Sequence, residues 1–378
     1  MKKRMLTLVL LVCTIIHIAP FRVESASVIR LVGYLPDWAY SVYKNIDFEA
    51  LTHLNIAFCN PDKNGNISCS IPDMELENII CKAHENNVKA MAALGGAGGC
   101  DGYLPLINNS NRMNDFNKKI MDYCEKYDFD GIDLDLELNS GHEIWNYYGD
   151  WVNSLRNLCD ERGFELSTAS ARWLGVKVSA DTFSKFDFIN VMAYDNDLSK
   201  ISHADMSYAL ELLDYFHKQK NISKDKLVLG VPFYGRGYNA DGSLDWNSYM
   251  PFSKIIASDP QNFYSDNYNG IAYNGASLIS EKCALSKEYG GIMIWELTQD
   301  AAGEYSLLKL IKEKLALRRL IGDVNDDGEL SAADLVMLSK WLHGCGELVN
   351  AQLADINGDN AINIYDLVFL RGILINKV

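Results

Sequence analysis

The chain has 378 residues, of which 48% are hydrophobic and 22% are charged, a composition typical of a globular protein with a large core and room for one small extra domain. The formal net charge of -15 argues against nucleic acid and anionic membranes as partners, because a phosphate surface requires clustered lysine and arginine. A neutral sugar polymer or divalent cations suit such a chain better.

The N-terminus has the pattern of an export signal. Basic residues at positions 2–4 precede an apolar run over 5–19, and the small residues Ser25 and Ala26 follow. The apolar run of about 15 residues is shorter than the roughly 20 that span a bilayer. We therefore expect a signal peptide over 1–26, a secreted, extracellular protein, and no membrane attachment after cleavage.

Nine cysteines are scattered along the chain at irregular intervals without CxxC pairs. This spacing indicates neither a zinc site nor a disulfide framework. Most of the cysteines are expected to be small buried hydrophobes. A bridge between Cys59 and Cys69, across one loop, stays open as an alternative.

Short apolar runs then alternate with longer amphipathic segments. The short runs predict eight strands, over 29–34, 53–58, 89–94, 131–137, 165–170, 188–194, 227–233 and 291–295. The longer segments predict helices over 73–86, 112–127, 142–162, 206–220, 277–289 and 305–317. Eight strands alternating with helices predict an α/β fold, a closed (β/α)8 TIM barrel, whose catalytic groups come from the C-terminal strand ends.

The fourth predicted strand carries three acids in alternation, Asp133, Asp135 and Glu137. A strand would place them on one face, about 7 Å apart, with apolar residues on the other face. Since like charges in a partly desolvated site raise one another's pKa, at least one acid should stay protonated near neutral pH, as a general acid must. A polar strand facing water shows the same alternation. The apolar opposite face and the turn residues at both ends favour the buried strand with acids at its far end.

Other strand ends carry residues that suit a sugar site, because aromatic planes stack on sugar rings while polar groups bind the hydroxyls. One aromatic residue alone is more often part of a barrel core. Several at the same end of the barrel as three acids favour a binding site. These residues are Tyr34, Phe58, Gly95, Gly96, Tyr194, Asp195, Tyr234, Arg236 and Trp295.

Seven segments together resemble the family 18 glycoside hydrolases, the chitinase family, over most of residues 28–315. The segments are VGYLPDW at 32–38, LTHLNIAF at 51–58, LGG at 94–96, FDGIDLDLE at 129–137, NVMAYD at 190–195, GVPFYGRGY at 230–238 and GGIMIWELTQD at 290–300. A single DxDxE is weak evidence. The motifs in this order on eight predicted strands are specific.

The resemblance implies a retaining mechanism assisted by the substrate, in which no second carboxylate attacks the sugar. Glu137 would protonate the glycosidic oxygen and later activate water, while the 2-acetamido carbonyl of the substrate attacks the anomeric carbon. Asp135 would orient the acetamido N–H and share a proton with Asp133 or Glu137. Tyr194 would donate its hydroxyl to the acetamido oxygen.

The resemblance also implies the sugar contacts. Asp195 would help to bind the distorted sugar, and Trp295 would form the floor beneath it. Met192 joins the contacts named above because it lies in the MAYD segment. No cofactor is implied in the barrel.

Two departures from the family pattern bear on the substrate. Many chitinases have an aromatic residue where Leu136 precedes Glu137, and the interval 236–290 is too short for the α+β module that walls a deep cleft. We expect a shallower groove. An endo-acting chitinase on N-acetylglucosamine oligosaccharides and an endo-β-N-acetylglucosaminidase on the chitobiose core of N-glycans both fit. A non-catalytic lectin on the same barrel would usually lack Glu137.

Two windows near the C-terminus, 323–334 and 355–366, have the spacing of calcium loops. Position six is Gly328 in the first and Asn360 in the second, and asparagine tolerates the left-handed conformation. Each window leads into an apolar helix, over 335–342 and 367–374, so the pair repeats after about 32 residues. The expected ligands of two structural Ca²⁺ ions are Asp323, Asn325, Asp327, Glu329, Ser331 and Asp334, and then Asp355, Asn357, Asp359, Ala361, Asn363 and Asp366.

This duplicated segment resembles a type I dockerin over residues 321–376, a small all-α module that attaches secreted enzymes to cohesin domains of a cellulosome-like scaffold. The resemblance implies cohesin contacts at Ala332, Ala333, Ser339 and Lys340 in one repeat and at Ile364, Tyr365 and Arg371 in the other. Because the two sets differ, we do not expect the repeats to be interchangeable. The predicted domains are the signal at 1–26, the barrel at 27–317 and the dockerin at 318–378.

Overall fold

The computed structural model describes residues 29–100, 102–199, 202–315, 321–325, 327, 329–357, 359 and 361–376. The predicted signal at 1–26, the predicted boundary between 317 and 318, and both residues at loop position six, Gly328 and Asn360, lie outside the described residues. Within the described part of the chain, no helix is both long and apolar enough to cross a membrane.

The described residues form fourteen strands. They are β1 (Arg30–Pro36), β2 (His53–Ala57), β3 (Asn60–Pro61), β4 (Ile67–Ser68), β5 (Lys89–Gly95), β6 (Gly131–Asp135), β7 (Glu165–Ser170), β8 (Phe188–Val191), β9 (Leu227–Pro232), β10 (Tyr234–Tyr238), β11 (Leu244–Pro251), β12 (Asn267–Tyr268), β13 (Ile271–Ala272) and β14 (Gly291–Trp295).

Twelve α-helices accompany the strands in the same part of the chain. They are α1 (Asp73–Glu85), α2 (Leu104–Ile107), α3 (Ser110–Tyr127), α4 (Trp145–Arg162), α5 (Arg172–Gly175), α6 (Ala180–Ser184), α7 (Met206–Asp214), α8 (Phe252–Ser258), α9 (Ala276–Ser286), α10 (Leu307–Leu315), α11 (Ala332–Leu342) and α12 (Ile364–Asn376). A π-helical turn, Tyr215–Gln219, extends α7.

Eight parallel strands close into a barrel in the order β1, β2, β5, β6, β7, β8, β9 and β14. Closure occurs between β1 and β14, where Arg30 pairs with Gly291. Every residue of β2, β6, β8 and β9 is buried, as expected for strands with the barrel interior on one side and helices on the other. The predicted eight-stranded barrel is confirmed.

The predicted fourth strand is two residues too long, because β6 ends at Asp135 rather than at Glu137. Pairing with β5 reaches Asp135, opposite Gly95, and pairing with β7 stops at Leu134. Beyond Asp135 the ladder offers no further partner strand, so Glu137 lies on the loop that follows β6. Leu136 remains buried, with 3% exposure.

The interval between β9 and β14 is more structured than its length suggested. It contains β10 to β13, which form a four-stranded sheet in the order β11, β10, β13 and β12, together with α8 and α9. The sequence analysis predicted none of these four strands, and the expectation of a shallower groove without the cleft-walling module stays a prediction. Two of the strands have only two residues each, so they carry no hydrophobic run to recognise.

The C-terminal module has a small core of its own, formed by Val324, Leu338, Ala354 and Leu370. Its helices begin three residues before the predicted starts, at Ala332 and Ile364. The earlier start of α11 follows from a capping box, in which the Ser331 side chain accepts from a backbone N–H and Asp334 reciprocates.

The eight described cysteines are all free, and five of them are buried, which confirms their expected role as small core residues. The alternative of a bridge between Cys59 and Cys69 is not realised. Both sulfur atoms lie 3.7 Å from the hydroxyl of Tyr123.

Candidate active site

Asp133 anchors the row of acids inside the barrel, with 0% exposure. Tyr34 donates its hydroxyl to Oδ2 at 2.6 Å. Ser167 and Asn190 donate to Oδ1 at 2.6 and 3.1 Å. Burial raises the pKa of Asp133, and these donors oppose the rise without cancelling it. With both oxygens engaged, Asp133 is placed to support its neighbours rather than to react.

Asp135 is the next acid on β6 and is 3% exposed. Burial, followed by the nearby charges of Glu137 and Asp133, raises its pKa well above the ordinary value. Its Oδ1 is buried and has no hydrogen-bond partner in the described chain. A glycine is required opposite it, because a Cβ on Gly95 would lie 2.1 Å from the backbone oxygen of Asp135.

Glu137 lies just past the end of β6, where the backbone N–H of Ala97 donates to it. Burial, and then the negative charge of Asp195, raises its pKa to about 7. A carboxyl group with that pKa is protonated often enough to give a proton near neutrality and ionised often enough to take one back. This is the property that both halves of a glycoside hydrolysis require of one residue.

Asp195 follows β8 and forms a forked ion pair with Arg236 of β10. The distances are 3.1 Å from Nε to Oδ1 and 2.9 Å from Nη2 to Oδ2. Burial alone would raise the pKa of Asp195, but hydrogen bonds from His203 and Arg236 outweigh it and lower the pKa. Asp195 is therefore a fixed negative charge near Glu137.

Tyr194 precedes Asp195 and lies close to the same acids. Burial, and then the charges of Asp135 and Glu137, raises the pKa of its hydroxyl well above 10.0. The hydroxyl therefore keeps its proton and can act as a hydrogen-bond donor.

Aromatic side chains lie beside these acids. Trp295 makes an edge contact with Tyr34 at 5.4 Å between ring centroids and stacks with Phe58 at 5.9 Å. All three rings belong to one apolar cluster with Met192. A Cβ on Gly96 would lie 2.3 Å from the Phe58 ring, so the glycine makes room for it.

Tyr234 is 1% exposed, so its ring does not form an exposed stacking surface. Its ring packs on His203 at 5.3 Å and on Tyr249 at 4.9 Å. The guanidinium of Arg236 lies 5.2 Å from the centroids of Tyr234, Trp246 and Tyr249. Trp246 and Tyr249 remain 57% and 43% exposed, and the sequence analysis did not single them out.

The sequence analysis also missed three polar residues that hold the acids. Ser167 occupies an inward position of β7, and Asn190 stands in the NVMAYD segment, so both could have been found by strand alternation. His203, which contacts Asp195, belongs to no recognisable pattern.

The first C-terminal loop brings oxygen atoms together through hydrogen bonds from its own backbone. The N–H of Asp327 lies 3.1 Å from both Asp323 Oδ1 and Asn325 Oδ1. Asp334 is fully buried and accepts from the N–H of Ser331 at 2.8 Å. The described side chains that converge in this loop offer mainly oxygen.

The second loop repeats this geometry. The N–H of Asp359 lies 3.1 Å from Asp355 Oδ1 and 2.9 Å from Asn357 Oδ1. Asp366 is fully buried and accepts from the N–H of Asn363 at 2.8 Å.

Oxygen donors in flexible loops fit Ca²⁺, which prefers six to eight of them. Among the described residues, no group of three His, Cys, Asp or Glu side chains is placed to hold a metal. That count leaves out asparagine, and each loop also presents an asparagine amide oxygen, Asn325 in the first and Asn357 in the second. Glu329 and Ala361 are the seventh residues of the two loops, where the backbone carbonyl is the expected Ca²⁺ ligand.

The predicted cohesin contacts lie on two helices of unequal character. Ala332, Ala333 and Lys340 of α11 are exposed, and Ser339 is half-buried. On α12 the exposed set is more apolar: Ile364, Tyr365, Val368 and Phe369 are each more than half exposed. Arg371 is exposed as well.

Family models match both parts of the chain. The model of glycosyl hydrolases family 18 matches residues 30–300, and that of the dockerin type I domain matches residues 321–375. The chain belongs to glycosyl hydrolase family 18. Its C-terminal segment is a type I dockerin.

Known proteins with similar sequences carry chitinase names. An endochitinase of Manduca sexta is 28% identical over 57% of this chain and 47% of its own length. Chitinase A1 of Niallia circulans is 25% identical over 74% of this chain and 58% of its own length. The chain thus spans about half the length of these curated relatives.

Solved structures agree with the barrel. The GH18 chitinase ChiB of Flavobacterium johnsoniae is 32% identical with a TM-score of 0.69, over 76% of this chain and 93% of that one. A chitinase from Bacteroides thetaiotaomicron is 26% identical with the same TM-score, over 77% of this chain and 97% of that one.

Proposed function

We propose that the protein is a secreted, endo-acting chitinase that cleaves β-1,4-N-acetylglucosamine linkages with retention of configuration. The observation that carries this proposal is the buried Oδ1 of Asp135, which has no hydrogen-bond partner among the described residues and belongs to the acid that interacts with Glu137. A buried polar atom without a partner is costly, so such an atom in a site calls for a donor from the ligand. The N–H of a substrate acetamido group is a donor of the right kind.

The reaction follows from the protonation states of the acids. Glu137 gives its proton to the glycosidic oxygen as the bond to the anomeric carbon breaks. The acetamido carbonyl oxygen of the substrate forms the new bond to that carbon, which gives an oxazolinium ion. Glu137, now a carboxylate, takes a proton from water as the water attacks the anomeric carbon and opens the oxazolinium ring. Two displacements on the same carbon retain its configuration.

The neighbouring residues lower the barrier by orientation and charge. Asp135, held protonated, can accept the acetamido N–H on Oδ1 and share its proton with Glu137 once Glu137 is ionised. Tyr194 can donate to the acetamido oxygen, and Trp295 can lie beneath the sugar ring. The chitinase names of the similar proteins support this substrate class, as does the net charge of -15, which suits a neutral polymer.

Product analysis on a series of chitin oligosaccharides tests the proposal, with proton NMR to follow the anomer released first. We expect internal cleavage and the β-anomer as first product. Initial release of the α-anomer would rule out retention. Cleavage of a high-mannose glycoprotein but not of chitin oligomers would instead identify an endo-β-N-acetylglucosaminidase, and saturable binding without turnover would identify a lectin.

We further propose that the dockerin binds two Ca²⁺ ions and attaches the enzyme to a cohesin on an extracellular, cellulosome-like scaffold. Bound Ca²⁺ would neutralise the carboxylates that each loop gathers. Asp323, Asn325, Asp327 and Asp334 would hold one ion through oxygen, and Asp355, Asn357, Asp359 and Asp366 the other. Calorimetry with a type I cohesin, with and without Ca²⁺, tests this part.

A further inference from the structure

His203 lies buried behind Asp195, although it is eight positions further along the chain. Its side chain is 0% exposed, and Nδ1 is 3.1 Å from Oδ1 of Asp195. The N–H of Asn196 donates to the carbonyl oxygen of His203 at 2.9 Å, so the chain returns on itself at this point. Asp195 itself has a left-handed backbone, with φ of 54°. A non-glycine residue in this conformation is held by its surroundings.

The residue after His203 is fixed from the helical layer. Lys282 of α9 is fully buried and donates Nζ to the carbonyl oxygen of Ala204 at 2.8 Å and to Oδ1 of Asn274 at 2.7 Å. Asn274 donates its amide to the same carbonyl at 2.9 Å. Two buried donors thus hold the carbonyl oxygen of Ala204, and they fix the backbone next to His203 from outside the barrel strands.

The groups around His203 fix its chemical form. Asp195 on its own loop, Arg236 from β10 and Lys282 from α9 are the charged groups that act on it, and the Tyr234 ring lies against it. Burial, the largest effect, lowers the pKa of His203 despite the carboxylate. The imidazole is therefore neutral near neutral pH. Its Nδ1 faces two groups of Asp195, Oδ1 at 3.1 Å and the backbone N–H at 3.3 Å. The closer contact to the carboxylate favours the tautomer with the proton on Nδ1, which donates to Oδ1, whereas the other tautomer would accept from the backbone N–H. Nε2 is buried without a partner in the described chain.

We propose that His203 is a positioning residue, which fixes the carboxylate of Asp195 beside Glu137. Arg236 holds Asp195 through the fork from the side of the exposed rings of Trp246 and Tyr249, whose centroids lie 5.2 Å from the guanidinium. His203 adds a contact to the same carboxylate from the buried side. This inference rests on the proposed function, since it concerns the acid of that reaction.

A pair of substitutions separates the hydrogen bond from the packing. His203→Phe keeps a ring against Tyr234 but removes the donor, while His203→Asn places an amide N–H near the position of Nδ1. We expect the Phe variant to lose about tenfold in kcat, as suits one hydrogen bond to a charged group. The alkaline limb of its pH profile should move to lower pH, because Asp195 relaxes toward Arg236 and repels Glu137 less. The Asn variant should keep the wild-type profile.

Wild-type turnover on chitin oligosaccharides is measured first, so that failure of the proposed function shows separately. Equal kcat and equal pH profiles in the Phe variant and the wild type would overturn the positioning role. Equal losses in both variants, with matching falls in melting temperature, would show packing alone and overturn it too. Should the Phe variant fail to fold, ¹⁵N NMR of the wild-type imidazole decides: a proton on Nε2 instead of Nδ1 contradicts the proposal.

Discussion

The barrel and the dockerin both bury aspartates, and they do so under opposite conditions. In the barrel, Asp133 is surrounded by side-chain donors from β1, β7 and β8 inside a large core. In the dockerin, Asp334 and Asp366 are equally buried, but they accept only from backbone N–H groups of their own loops among the contacts described. The core around them is small.

This difference indicates that the two regions are stabilised in different ways, the barrel by its core and the dockerin by a bound cation. A large closed barrel can hold acids in their uncharged form without a ligand. The raised pKa of such an acid is what a proton donor in catalysis requires. A module of this size has too little core to offset gathered carboxylates, so its folding should depend on a bound cation. The predictions below test this contrast.

Removal of Ca²⁺ should have the largest effect, and should affect one region only. With EDTA, we expect the dockerin to unfold and cohesin binding to disappear, because metal binding and folding are coupled in so small a module. Hydrolysis by the barrel should stay unchanged in the same sample. Calorimetric unfolding of the full chain, with cohesin binding and turnover measured in parallel, checks both statements.

Restoration by added Ca²⁺ is the control for chelation. Asp366→Ala offers a matched variant, since it removes one buried carboxylate of the second loop and leaves the barrel untouched. If cohesin binding survived EDTA, or if turnover fell together with it, the proposed division of stability between the regions would be wrong.

Glu137→Gln should abolish most of the activity while leaving the fold intact. The amide cannot give a proton to the glycosidic oxygen, and loss of general acid and base catalysis by one residue costs about 10²–10⁴ in rate. We expect a loss of about a thousandfold in kcat. Glu143→Gln is the control, because Glu143 is an exposed glutamate on the same loop. Activity in Glu137→Gln near that of Glu143→Gln would remove Glu137 from the mechanism.

The same contrast explains what the sequence could predict. Each predicted calcium loop lies within twelve consecutive residues, so its candidate oxygen ligands could be predicted from spacing alone. The alternation of Asp133 and Asp135 was readable for the same local reason. The Tyr34 contact to Asp133 spans 99 positions along the chain, and the position of Tyr34 at a predicted strand end placed it at the site without predicting that contact.

Other parts of the site left no local signal. His203 lies beside Asp195 where the backbone N–H of Asn196 donates to the carbonyl oxygen of His203, and no residue type or spacing in the sequence predicts this contact. The two-residue strands β12 and β13 are too short for a hydrophobic period. The end of β6 at Asp135 depends on where its pairing with β5 stops, which is a property of the neighbouring strand.

The pH dependence of kcat/KM should show an alkaline limb near the pKa of Glu137, about 7, since the free enzyme must hold the proton it will donate. The acid limb should lie below the ordinary range of aspartate if it reports Asp195, whose pKa is lowered. Rates across the pH range on a soluble chitin oligosaccharide check both limbs. A rate that stays flat well above pH 7 would contradict the assigned acid.

Asp135→Asn should raise the melting temperature at neutral pH while it lowers kcat. Above about pH 4 the unfolded chain ionises this side chain, whereas burial keeps it protonated in the folded chain. The folded state then binds more protons, so stability falls as pH rises from that point. An amide removes this cost, and each kcal/mol recovered gives about 2–4 °C. The gain should vanish below about pH 4, where both states are protonated.

Glu165→Gln, at the start of β7, is the matched variant with the opposite sign. Burial alone would raise the pKa of Glu165, but His53 and Lys89 outweigh it and lower the pKa. Its contribution to stability is therefore present above the unfolded pKa of about 4.3 and is lost as pH falls through the folded value. At neutral pH the Gln variant should melt at a lower temperature and keep its kcat. If both variants moved the melting temperature in the same direction, the view that the barrel keeps Asp135 uncharged for catalysis and at a cost in stability would fail.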